Sequence, residues 1–140
     1  MTVLQAYIAA LLILSVNLLT LWVMSGIARI KAGMANNPED GVHYKMPASE
    51  TDPPAVARCL RAHRNAEATI YPFLLVGLVY VMAGGRVLIA APIFAIFVLA
   101  RLVHSVAYLR ALQPWRTYAF QASLLAILAL MVATAGASLG

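Results

Sequence analysis

The sequence predicts an all-α protein, an integral membrane four-helix bundle, and three observations carry that expectation. Of 140 residues, 63% are hydrophobic and 11% are charged, against roughly 45–50% and about 25% in soluble domains. Mean hydropathy is +0.85, which excludes an ordinary water-soluble domain and a disordered chain. A membrane-spanning helix uses about 20 apolar residues, and the chain holds four such stretches with short connections between them. Finally, the ten Lys and Arg and the five Asp and Glu all lie between Arg29 and Arg116, so both terminal stretches are uncharged. No repeat and no low-complexity tract interrupts the pattern, and a single domain over 1–140 is expected.

The first helix is expected over about 3–32. It is too long for the apolar region of a signal peptide, lacks a basic segment before it, and carries Arg29 and Lys31 on its C-terminal flank. Residues 33–54 read as a polar loop, because Gly33, Asn36, Asn37, Pro38, Gly41, Pro47, Pro53 and Pro54 each disfavour a continuing helix. The second helix is expected over about 53–84. It opens on proline, which a first turn tolerates, is polar to Asn65, then apolar to Gly84-Gly85, with Pro72 as a kink site. The third is expected over about 87–112 and the fourth over about 115–139, with Pro114 closing the connection between them.

Four spans put the first and third connections at one end and both termini at the other. The first end holds Arg29, Lys31, Lys45, Arg110 and Arg116, and the second only Arg86. Basic residues mark cytoplasmic loops, so loops 1 and 3 are expected in the cytoplasm and both termini on the opposite side. Tyr7, Trp22, Trp115 and Tyr118 read as interfacial anchors or lipid-facing packing residues.

A charge at membrane depth costs at least about 2.5–3.5 kcal/mol, so it pairs, faces a wet cavity or snorkels. The second helix carries Arg58, Arg61, Arg64, Asn65 and Glu67, and the third Arg101, His104 and Tyr108. The spacing of the latter three puts them on one stripe, and Arg61, Arg64, Asn65 and Ala68 are expected to share a face. These stripes, with Arg29 and Arg116 at the same level, predict a pocket near the cytoplasmic boundary. Several arginines against few acids suit a ligand with more than one carboxylate or phosphate, which the guanidinium fork grips bidentately. Such a site also favours a thiolate. The lone Cys59 excludes an internal disulfide and a multi-cysteine metal site, and no metal ligand set is expected from the scattered histidines. No glycine-rich phosphate loop appears, and no nucleic-acid partner is expected.

The run Arg58-Cys59-Leu60-Arg61-Ala62-His63-Arg64-Asn65, followed by Thr69-Ile70-Tyr71-Pro72-Phe73, closely resembles the second-helix motif of the MAPEG family, membrane-associated proteins in eicosanoid and glutathione metabolism. Asn37-Pro38-Glu39-Asp40, Arg101 with His104 to Leu109, and Pro114-Trp115-Arg116 agree with it, so the resemblance spans roughly residues 29–120. It implies a four-helix protomer, a homotrimer, and glutathione bound between neighbouring protomers. By the same resemblance Arg29, Arg64, Asn65, His104, Tyr108 and Arg116 line that site, and Asp40 is a loop acid beside it. Thr117 stands where a hydroxyl is proposed to help activate the thiol. The family's glutamate falls on Ala68, and Glu67 precedes it by one residue, a turn of about 100°. An aromatic hydroxyl further along the fourth helix corresponds to Phe120.

The resemblance thus implies a glutathione transferase, a peroxidase or a prostaglandin-forming isomerase, acting on a hydrophobic small-molecule or lipid substrate drawn from the membrane lipids. Arg29, Arg64 and His104 would take the glutathione carboxylates, Glu67 or Asp40 the ammonium, and Asn65 and Tyr108 the peptide backbone. Arg116, helped by Thr117, would hold the sulfur. The alternative is a non-catalytic trimeric membrane protein that binds glutathione or lipid, and a small transporter is a third reading.

Overall fold

The structure is a computed structural model and describes residues 1–49 and 51–139. It consists of α1 (Val3–Lys31), α2 (Pro38–Tyr44), α3 (Pro54–Met82), α4 (Val87–Leu109) and α5 (Trp115–Leu139). The four long ones, α1, α3, α4 and α5, are each long and apolar enough to cross a membrane. Thr2 starts α1 by a reciprocal cap: its hydroxyl accepts from the Gln5 amide at 3.2 Å, and the Gln5 side chain accepts from the Thr2 amide at 2.8 Å.

Neighbouring long helices run antiparallel. Asn65 on α3 meets Arg101 on α4, and further along Phe73 stacks on Phe97 at 3.7 Å. Arg101 and Arg116 mark opposite directions on α4 and α5, since Arg101 reaches Ser123 while Tyr108 reaches Arg116. The apolar middle is closed by Leu14 and Leu21 of α1, Ile70 and Phe73 of α3, Phe97 of α4 and Leu130 of α5, all buried. Outward-facing Leu12, Leu75, Leu99 and Val132 are exposed, which costs nothing in lipid because acyl chains are as apolar as leucine.

Three expectations are corrected here. The loop over 33–54 contains a helix, α2. Asn37 precedes it in an extended conformation, Pro38 opens it, Glu39 and Asp40 occupy its first turn, and Lys45 ends it in the left-handed region. These are ordinary start and stop signals, but seven residues show no periodicity. A bridge between Ala35 and Ala48 closes the segment, with Ala35 N–H donating to Pro47 at 2.9 Å. Tyr7, read as an interfacial anchor, is buried: its hydroxyl donates to the Leu74 carbonyl at 3.2 Å and its ring meets Phe94 edge-on. The third expected helix also stops early, at Leu109, where Ala111 turns to a positive φ of 57°.

Candidate functional site

The polar stripe of α4 forms the centre of the site. Arg101 is fully buried. Its Nη2 donates to Asn65 Oδ1 at 3.1 Å and contacts His104 Nδ1 at 3.2 Å, while Nη1 lies 3.4 Å from Ser123 Oγ. A guanidinium has donors only, so His104 Nδ1 accepts and the ring proton sits on Nε2. Asn65 and His104 are thereby fixed in orientation by one buried cation that ties α3, α4 and α5 together.

From His104 the chain of contacts runs towards the connection between α4 and α5. The His104 ring lies 5.6 Å from Tyr108 and 6.1 Å from Phe120. The Arg116 guanidinium stands 5.0 Å from the Tyr108 ring centre, within reach of a cation–π attraction. Thr117 is exposed, with its hydroxyl 3.0 Å from the Gln113 side-chain amide.

Free backbone amides in the first turn of a helix can hold an anion, and at the start of α5 those of Arg116, Thr117 and Tyr118 are the ones in question. Those amides are already engaged: Arg116 N–H donates to Leu112, and Thr117 and Tyr118 N–H donate to Pro114. For the Arg116, Thr117 and Tyr118 positions, only side chains and the field of the helix dipole remain for an anion.

The other expected site residues are placed apart from this chain. Arg29 is paired with Asp52, and its Nη1 is buried with no hydrogen-bond partner among the described residues. With Asp40, Asn36 and Tyr44 it lines a cavity of about 720 Å³ between α1 and the α2 segment. Arg64 and Arg61 are exposed on the outer face of α3, while Asn65, one residue on, turns inward to Arg101. The face expected to carry both Arg64 and Asn65 is therefore divided within one chain. The Glu67 carboxylate is taken by its own helix, with His63 Nδ1 at 3.3 Å and the Tyr71 hydroxyl donating at 3.1 Å.

Arg101, His104 and Ser123 were unequally visible in the sequence. Arg101 and His104 stand on the polar stripe of α4, whereas Ser123 reads as one small residue in an apolar helix. Its spacing was informative: Arg116, Phe120 and Ser123 lie at i, i+4 and i+7, one face of α5.

The fold and these contacts define a class: a bundle with four helices able to span a membrane and an arginine-rich polar cluster at the end away from the termini. The chain matches the MAPEG family over residues 6–136, and it belongs to that family. It is 39% identical over 118 residues to prostaglandin E synthase of Equus caballus, covering 84% of this chain and 77% of that one. To prostaglandin E synthase of Homo sapiens it is 37% identical over 106 residues, 76% and 70% of the two chains. A shorter stretch, 66 residues, is 46% identical to microsomal glutathione S-transferase 1 of Bos taurus, covering 46% of this chain and 43% of that one.

Proposed function

We propose that the protein is a glutathione-dependent membrane enzyme that transfers the glutathione sulfur to hydrophobic electrophiles. The observation that carries this reading is the Arg116 guanidinium, held over the Tyr108 ring at the end of the Arg101–His104 chain. The same end of the bundle supplies Arg29 with an unpartnered buried Nη1, and Arg64 exposed on α3. Two of the nearby acids, Asp52 and Glu67, are already engaged. This surplus of unspent donors fits a peptide with two carboxylates and a thiol.

Arg29 and Arg64 bind the carboxylates, and His104 adds its Nε2–H. Asn65 and Tyr108 align the peptide, and Asp40 attracts the ammonium. Because Arg64 and Asn65 point to different sides of α3, a neighbouring copy completes the ligand site. The working form is a homotrimer, and Arg64 acts across the boundary between protomers. Loops 1 and 3 face the cytoplasm, which places the site where glutathione is soluble and the substrate arrives through the lipid-facing side. A reporter that is active only in the cytoplasm, fused to the C-terminus, stays silent under this topology.

Arg116 and the Thr117 hydroxyl stabilise the thiolate after its proton passes to water. Glutathione supplies the nucleophile: a C–S bond forms while the leaving group departs with the bonding electron pair. A thiol has a reference pKa of about 8.5, and each unit of lowering corresponds to about 1.36 kcal/mol. One charge-assisted hydrogen bond of about 1.5–3 kcal/mol supplies one to two units. The purified protein in detergent, given glutathione and an activated aryl halide, should release one halide per conjugate formed. Conjugation no faster than in its absence would refute the proposal and favour the non-catalytic reading.

A further inference from the structure

Among the described residues, Tyr108 is one of two whose side chains hold Arg116. The second is Gln113, in the connection between α4 and α5. With its amide oxygen turned to Arg116, that oxygen stands 3.2 Å from Nε and 2.7 Å from Nη2, and the amide nitrogen stands 3.0 Å from Thr117 Oγ1. The reverse orientation sets the amide NH2 against guanidinium N–H groups, donor against donor, so hydrogen-bond chemistry selects the first.

We infer that Gln113 is a positioning residue for the thiol chemistry proposed above, one that aims Arg116 and Thr117 at a common acceptor. The inference rests on that reading of Arg116. The Gln113 oxygen accepts from Nε and Nη2, one edge of the guanidinium, and leaves the Nη1 end unspent. Its nitrogen donates to the Thr117 oxygen, so the hydroxyl keeps its own proton to give. Each of the two residues is therefore fixed and still holds a free donor. Fixing matters because a long arginine side chain otherwise has to be ordered at the moment of reaction, whereas donors set in advance stabilise a developing charge without reorganisation. The backbone amides of Arg116 and Thr117 themselves are engaged with Leu112 and Pro114, so the two residues act through their side chains.

The test uses the full chain in detergent, with glutathione itself as the probe. Thiolate absorbance of bound glutathione is titrated against pH in the wild type, Gln113→Met, Gln113→Glu and Arg116→Ala, and the glutathione dissociation constant is measured for each. Gln113→Met should lower the thiolate fraction at neutral pH by about two- to tenfold, the range of one neutral hydrogen bond, with little change in affinity. Gln113→Glu should lower it further, because a carboxylate there screens the guanidinium from the sulfur. A residue that only shapes the turn predicts the opposite order, since Glu is nearer to Gln in shape. Wild-type titration in both Gln113 variants, alongside a shift in Arg116→Ala, would overturn this inference alone. No shift in Arg116→Ala would overturn the reading of Arg116 and the inference with it.

Discussion

Arg116 and Arg101 are both arginines of one polar chain, yet their surroundings assign them different work. Arg116 is partly exposed and touches one ring and one amide, so its charge is available to a ligand. Arg116→Ala should cut turnover at saturating glutathione by roughly ten- to hundredfold, the loss of one charge-assisted contact, while affinity falls modestly because Arg29 and Arg64 remain. Thr117→Val should cost less, a neutral hydroxyl being the weaker donor. Steady-state turnover and dissociation constants for both variants decide this, and unchanged turnover in Arg116→Ala would remove it from the mechanism. Arg101, by contrast, is sealed in the bundle with Asn65, His104 and Ser123. Arg101→Met strips those groups of a shared partner, at about 1–3 kcal/mol for each one left unsatisfied. It should lower the melting temperature in detergent, and Arg101→Lys should not restore it, because a single ammonium cannot span three partners as a planar guanidinium does. A melting temperature equal to wild type in Arg101→Met would mean that the cluster does not hold the helices together.

The elements differ in how much of them the sequence reveals. The four long helices declare themselves by length and hydropathy, and the short connections set the pairing of α3 with α4 and of α4 with α5. Helix α2 does not, because seven residues are too few for a periodic signal and its proline and asparagine also read as loop formers. Tyr7 misleads for a related reason: an aromatic hydroxyl near the end of an apolar run suits a membrane interface, and only the packed bundle reveals the Leu74 carbonyl that receives it. The opposite directions of Arg64 and Asn65 leave no mark in the sequence. One residue separates an outward side chain from an inward one, and the sequence marks both as polar. The α3–α4 connection shows tight packing at a single glycine. A Cβ on Gly85 would overlap the Tyr80 ring, which is buried and donates its hydroxyl to the Arg86 carbonyl at 3.0 Å. Gly85→Ala should therefore displace Tyr80 and destabilise the hairpin by about 1–3 kcal/mol, as overpacking does. Thermal denaturation in detergent checks it, and an unshifted transition would show that the ring has room to move.

At the scale of the whole molecule, one protomer leaves polar groups that its own chain does not satisfy. Arg64 and Arg61 face outward from α3, a helix apolar enough to span a membrane, where an unpaired charge is costly. The proposed homotrimer would bury this face, supply the missing partners and complete the proposed ligand site. Mass measurement in detergent should therefore give three copies of the 15.0 kDa chain, and a monomer that still binds glutathione would refute it. The family and the four helices were legible in the sequence because both depend on long runs of residues. The Gln113 clamp was not, because it depends on how a short connection between α4 and α5 folds back on the first turn of α5. The proposed chemistry depends on the chain binding glutathione as its thiolate. Its most direct measurement is the ultraviolet thiolate absorbance of the solubilised protein titrated with glutathione at neutral pH. A saturable rise in absorbance that is lost in Arg116→Ala is expected. Saturable binding without any thiolate signal would contradict it.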